Sequence, residues 1–114
     1  MPAEQSILKS IRQRIGPSAS YDVFDNDLIV LINSAFSRLR QLGVGPDYPF
    51  YIEDEDAEWS DFMEDGEMEE IKDYVYLSVK IIFDPPANSG VLNAYKEQIT
   101  KYESLLKDVA YHGY

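Results

Sequence analysis

Between Asp25 and Pro46 the chain spells out one complete helix, and this segment constrains the fold more than any other. Leu28, Leu31, Ile32, Ala35, Phe36, Leu39 and Leu42 recur at three- and four-residue steps, which makes one apolar stripe. Asp25 or Asn26 can cap the helix, and Asp27 suits the positive end of its dipole. Arg38 and Arg40 fall in the last turns, where cations are favoured. Gly43-Val44-Gly45-Pro46 then stops it. A stripe of this kind holds a helix only when something covers it, so the rest of the chain must supply apolar faces.

Three other segments do so. Near Ala3 to Ile15, the residues Ile7, Leu8, Ile11 and Ile15 take one face and Lys9, Arg12 and Arg14 the other; Gly16-Pro17 ends the segment. From Glu67 to Phe83 two periods coexist. Val75, Leu77, Val79, Ile81 and Phe83 alternate as in a strand, whereas Ile71, Tyr74, Val75, Ser78 and Ile82 follow helical spacing. Length and the acidic start favour a helix. Asp84-Pro85-Pro86 terminates it. The last segment opens near Asn88 or Ser89 and carries a heptad seam of Leu92, Tyr95, Ile99, Tyr102, Leu106 and Val109. Residues 43–62 read as a long connection, in which Tyr48, Phe50, Tyr51 and Ile52 form a short strand or hook, and one turn buries Trp59 and Phe62. At 114 residues the chain reads as one all-α domain, a bundle of about four helices, with 108–114 an extended C-terminal tail.

Charge narrows the function. The net charge is −11, which opposes ordinary duplex binding through phosphate contacts. Residues 53–73 hold twelve acids and one base, whereas residues 1–42 hold four acids and five bases. The acids Glu53, Asp54, Glu55, Asp56 and Glu58 form a patch that is a solvated loop, a partner surface or the wall of a DNA channel. They lack the glycine and glutamate spacing of an EF-hand. Lys9, Arg12 and Arg14 are either the wet face of a helix or a subunit contact with the acids of a neighbour. There is no cysteine and a single histidine, His112, so thiolate metal sites and nucleophilic dyads lack their parts. No enzyme activity, cofactor or metal is expected. No apolar run reaches the ~18 residues of a membrane span, and no signal peptide is expected.

Five short strings give the chain a resemblance. They are Tyr21-Asp22-x-Phe24-Asp25, Ile32-Asn33-Ser34-Ala35-Phe36, Gln41-Leu42-Gly43-Val44-Gly45-Pro46, Trp59-Ser60-Asp61-Phe62 and Phe83-Asp84-Pro85-Pro86. In this order, over roughly residues 5 to 105, the chain resembles the head-tail connector (adaptor, or head completion) family of tailed bacteriophages. The resemblance implies a helix over 67–83. It implies a closed ring of about a dozen identical subunits, docked on the portal protein on one side and on a stopper or tail-completion protein on the other. Genome DNA would pass through without specific binding. The protein would be made in the host cytoplasm and reside in the virion neck. It also implies, loosely, a portal contact through the C-terminal residues Tyr111, His112 and Tyr114. One departure stands out: the family's last helix often carries an acidic-aromatic-Arg-Leu run, whereas this chain has Lys101-Tyr102-Glu103-Ser104-Leu105-Leu106. Two rival readings rest on the acids alone. They are a cellular protein–protein adaptor and a DNA mimic that occupies a basic nucleic-acid-binding partner.

Overall fold

A computed structural model describes residues 5–19, 21–64 and 66–112, with the side chain of His112 outside that set. Five helices follow in order: α1 (Ile7–Ile15), α2 (Asp25–Gln41), α3 (Trp59–Phe62), α4 (Met68–Phe83) and α5 (Ser89–His112). Two 3-10 turns, Pro17–Ala19 and Asp22–Phe24, join α1 to α2. The architecture is all-α, as the periodicities predict.

Helix α4 is the middle of the bundle. It packs along α2 on one flank and α5 on the other, and α1 lies over α2 and α4. This position resolves its double periodicity. A helix enclosed from several directions buries more than one stripe, so Ile71, Tyr74, Val75, Leu77 and Val79 are all buried. Ile82, expected in the core, is instead 64% exposed. Its neighbour Phe83 turns inward, edge-on to Phe24 with ring centroids 5.6 Å apart.

The ends of the helices follow local chemistry. Ser6 caps α1: its hydroxyl accepts from the Lys9 N–H at 3.2 Å and donates to the Glu55 carbonyl at 2.7 Å. Helix α2 has no side-chain cap, contrary to expectation, because the Asp22–Phe24 turn runs straight into it and the Asp25 N–H donates to the Asp22 carbonyl. At its C-terminus the Val44 N–H reaches Leu39 and the Gly43 N–H reaches Arg40. These are the two bonds of a Schellman close, with Gly43 at φ +86°. Asn88 caps α5, its side-chain oxygen accepting from the Val91 N–H at 3.1 Å. The tail expected to be extended from 108 is helical through His112. The seam explains the difference, since Leu106 is followed by half-buried Val109 and Ala110, and Ala110 lies against Gly43.

The connection 43–58 is a hook with no strand. Asn33 pins it: the side-chain oxygen accepts from the Ile52 N–H at 2.7 Å and the amide donates to the Ile52 carbonyl at 3.0 Å. Phe50 and Ile52 therefore turn inward while Tyr48 and Tyr51 stay exposed. Phe36 receives the hook, with Phe50, Phe62 and Trp59 rings at 4.9, 4.7 and 6.1 Å from its own. Truncating this fully buried ring should leave three aromatics without a platform. We expect Phe36→Ala to destabilise the fold by ~3–5 kcal/mol; a melting midpoint within a degree or two of wild type would refute that role.

Candidate functional site

The residues that carry the family resemblance lie mostly inside the fold. Phe24 meets Phe83, and both carboxylate oxygens of Asp25 accept from the one Nη2 of Arg12, each at 2.8 Å. Asn33 holds Ile52, as described above. Gly45, at φ +103°, faces the Phe62 ring so closely that a Cβ there would stand 2.6 Å from it. Trp59 donates from its indole nitrogen to the Ser10 hydroxyl at 3.0 Å. Asp61 accepts from the Glu58 N–H at 2.8 Å, half of a capping box on α3. Asp84 accepts from Ser18 at 2.7 Å and from Lys80 at 3.0 Å, which binds the end of α4 to the turn after α1. These two hydrogen bonds, the Ser18 bond first, hold the Asp84 carboxyl below the ordinary carboxylate range. The five strings thus come together as contacts that lock helices and hook. A model of the phage connector protein family matches residues 7–111, nearly the whole folded unit.

The chain belongs to the phage connector family.

No curated protein and no solved structure matches it. Membership makes it a component of the phage neck that works with other head and tail proteins. A connector acts through its surfaces, so the question becomes which side chains are free to meet partners.

The bases of α1 are engaged within the connector itself. Lys9 lies 3.7 Å from Glu55, Arg12 pairs with Asp25, and Arg14 reaches Asp73 at 2.7 Å while stacking 4.0 Å over the Tyr76 ring. A subunit contact through these three would have to break those pairs. The acidic patch is only partly free. Glu58 belongs to the α3 capping box and Glu55 faces Lys9. Glu53, Asp54 and Asp56 are exposed, and the Asp54 carboxylate accepts from the Asp56 N–H at 2.9 Å. Tyr111 is 83% exposed at the end of α5. The His112 side chain and Tyr114 lie outside the described residues.

A cleft of about 540 Å³ lies between α1, α3 and α4. Its charges neutralise each other: Arg14 is bound to Asp73, and Lys72 is 3.9 Å from Glu69 and 6.0 Å from the Trp59 ring. Among the described residues no three His, Cys, Asp or Glu side chains group as a metal site requires, and no helix is long and apolar enough to cross a membrane.

Sequence reading missed the main polar feature. Tyr74 on α4 donates to Glu103 on α5 at 2.7 Å, and Tyr102 on α5 donates to Asp73 on α4 at 2.9 Å. Each carboxylate is also held by an arginine. Arg38 of α2 reaches Glu103 at 3.1 Å, and Arg14 of α1 reaches Asp73. A dipeptide on α4 and a dipeptide on α5 thus exchange hydrogen bonds, and four helices converge on them. The only signal available was the pair of acid-tyrosine neighbours, Asp73-Tyr74 and Tyr102-Glu103, which has no helical period of its own.

This clasp has a pH signature. Burial, then the bond to Glu103, push the Tyr74 hydroxyl well above the usual tyrosine range; burial and Asp73 do the same to Tyr102. Burial also opposes ionisation of Glu103, but its bonds from Arg38 and Tyr74 outweigh that and hold it below the usual range. A depressed acid stabilises the fold fully above its unfolded value and loses that contribution as pH falls through the folded one. A raised tyrosine does the reverse, contributing fully below about pH 10 and less as pH rises. Tyr74→Phe should therefore cost about 1–2 kcal/mol at neutral pH, and the gap to wild type should shrink above about pH 10. Urea unfolding at both pH values measures it; a gap unchanged by pH would refute the tyrosine's part.

Proposed function

We propose that this connector forms a closed ring of identical subunits beneath the portal, extends the DNA conduit there, and offers its far side to a stopper or tail-completion protein. The family match over residues 7–111 carries this reading. Two physical features support it. The chain's −11 charge suits a wall past which DNA moves without sticking. Arg12, Arg14 and Arg38 are held by carboxylates of the same chain, so its work falls to its outer surfaces. No chemical turnover, cofactor or sequence-specific DNA contact enters this role. The cellular adaptor and the DNA mimic rest on the acidic block alone, and part of that block is occupied in capping α3 and pairing with α1.

For the portal contact we propose the exposed end of α5, where Tyr111 presents an aromatic anchor of the kind that dominates interfaces. Removing 108–114 would disturb Val109 and Ala110, which are partly buried, so a point substitution is the cleaner probe. Tyr111→Ala should leave the melting midpoint within a few degrees of wild type and weaken binding to portal-bearing heads at least several-fold. The assay is co-sedimentation with heads that lack the connector, followed by tail joining. Normal binding by Tyr111→Ala would move the contact elsewhere. Failure of the wild-type chain to bind such heads would overturn the neck reading.

A further inference from the structure

Two clefts lie side by side where α1, α3 and α4 meet, and they share Trp59 and Lys72 as a common wall. The first, of about 540 Å³, is bounded by α1 and the first two turns of α4. The second, of about 270 Å³, runs from Gln5 to Met63, Glu64 and Met68. Together they make one groove. No residue of α5 lines it, so it is separate from Tyr111.

The charge of the groove changes along its length. In the first cleft each cation has an acid: Arg14 has Asp73 and Lys72 has Glu69. In the second that balance is lost. Glu58 and Glu64 line it, and Lys72, already facing Glu69, is its one cation. The Glu58 side chain caps α3 through a backbone N–H, which leaves its charge unanswered. Glu64 is exposed and forms no ion pair among the described residues. The surrounding segment, residues 58–73, holds eight acids and one base. The floor is apolar. Met63 and Met68 are half-exposed, and the Trp59 ring behind them is nearly buried. Methionine is unbranched and polarisable, so such a floor adapts to the shape of what lies on it.

An apolar groove with an acidic rim selects the complementary pattern, an apolar side chain flanked by Lys or Arg. It repels the phosphates of DNA. We infer that this groove is the docking site for a basic, apolar-bearing segment of the tail-side neighbour, the stopper or tail-completion protein. The apolar side chain of that segment lies on Met63 and Met68, and its cations take Glu64 and Glu58. The connector then meets the portal through α5 and the tail side through α3 and the start of α4. This inference rests on the neck reading above and names the surface that carries its second contact.

The chain holds a single tryptophan, and it is Trp59 in the wall of the groove. Made with 5-hydroxytryptophan, the connector carries a fluorophore that can be excited apart from the tryptophans of other proteins. Such connectors are loaded on portal-bearing heads and mixed with purified tails and their completion proteins. Joining should shift the emission from position 59, and added salt should weaken joining. The double variant Ser60→Lys, Glu64→Lys reverses the rim at two exposed positions of the second cleft. It should load heads as wild type does and join tails about tenfold or more weakly. The pair Ser60→Ala, Glu64→Asp keeps the acid and should join normally. Circular dichroism confirms that each variant is folded. Joining without a change in emission, or full joining by the double lysine variant, overturns the docking site and leaves the neck reading standing. So does a folded double lysine variant that no longer loads heads, because the groove then serves the head side. Wild-type connectors that load heads yet join no tails overturn the tail-side contact alone, and those that do neither overturn both readings.

Discussion

The ring of Phe36 is the contact on which the rest of the fold depends. It lies on the α2 stripe and gathers Phe50, Phe62 and Trp59 around it. All three belong to the segment that would otherwise be a long acidic loop. Aromatic pairs at such spacings add to plain area burial. The cluster turns the 43–62 connection into a second wall of the core and leaves Gly45 no room for a side chain. From that wall the chain reaches α1, through the Trp59 bond to Ser10 and the backbone pairing of Ser6 with Glu58.

On the other side of α4 the logic changes from apolar to polar. Helix α5 is 24 residues long, yet Leu106 is its one fully buried hydrophobe among the described residues. Its seam residues are half covered, and its hold on α4 includes the reciprocal tyrosine–carboxylate bonds. An apolar face can slide by a turn at modest cost, whereas hydrogen bonds between fixed partners admit one register. The clasp thus fixes where α5 lies along α4, and Arg14 and Arg38 tie the same point to α1 and α2.

Much of this was legible in the chain. The α2 stripe, its glycine stop, the Trp59–Phe62 turn and the α5 seam are local signals, and local signals survive folding. What could not be read depends on distant partners. The alternation from Val75 to Phe83 had no meaning until α4 proved to be enclosed on several sides. Ile82 and Phe83 are both apolar, and only the position of Phe24 decides which turns inward. The bases of α1 looked like surface charge because Asp25, Glu55 and Asp73, their partners, lie up to fifty-nine residues away. The family strings were legible as a set, and their meaning was structural: they mark positions where the fold touches itself.

The pairing of residues 5–7 with the middle of the chain has a consequence for synthesis. The Ile7 N–H donates to the Ala57 carbonyl, the Trp59 N–H donates to the Gln5 carbonyl, and Ser6 reaches Glu55 forty-nine residues on. As the ribosome delivers the chain from its N-terminus, α1 emerges with a bare apolar face and an unanswered cap. Helix α2 offers it one face, but its cap and backbone partners come only with the hook. Folding therefore cannot advance helix by helix in the order of translation. Of the described helices α1 is made before the others yet completed only after the hook, and the connection that reads as the least structured part of the sequence is what completes it.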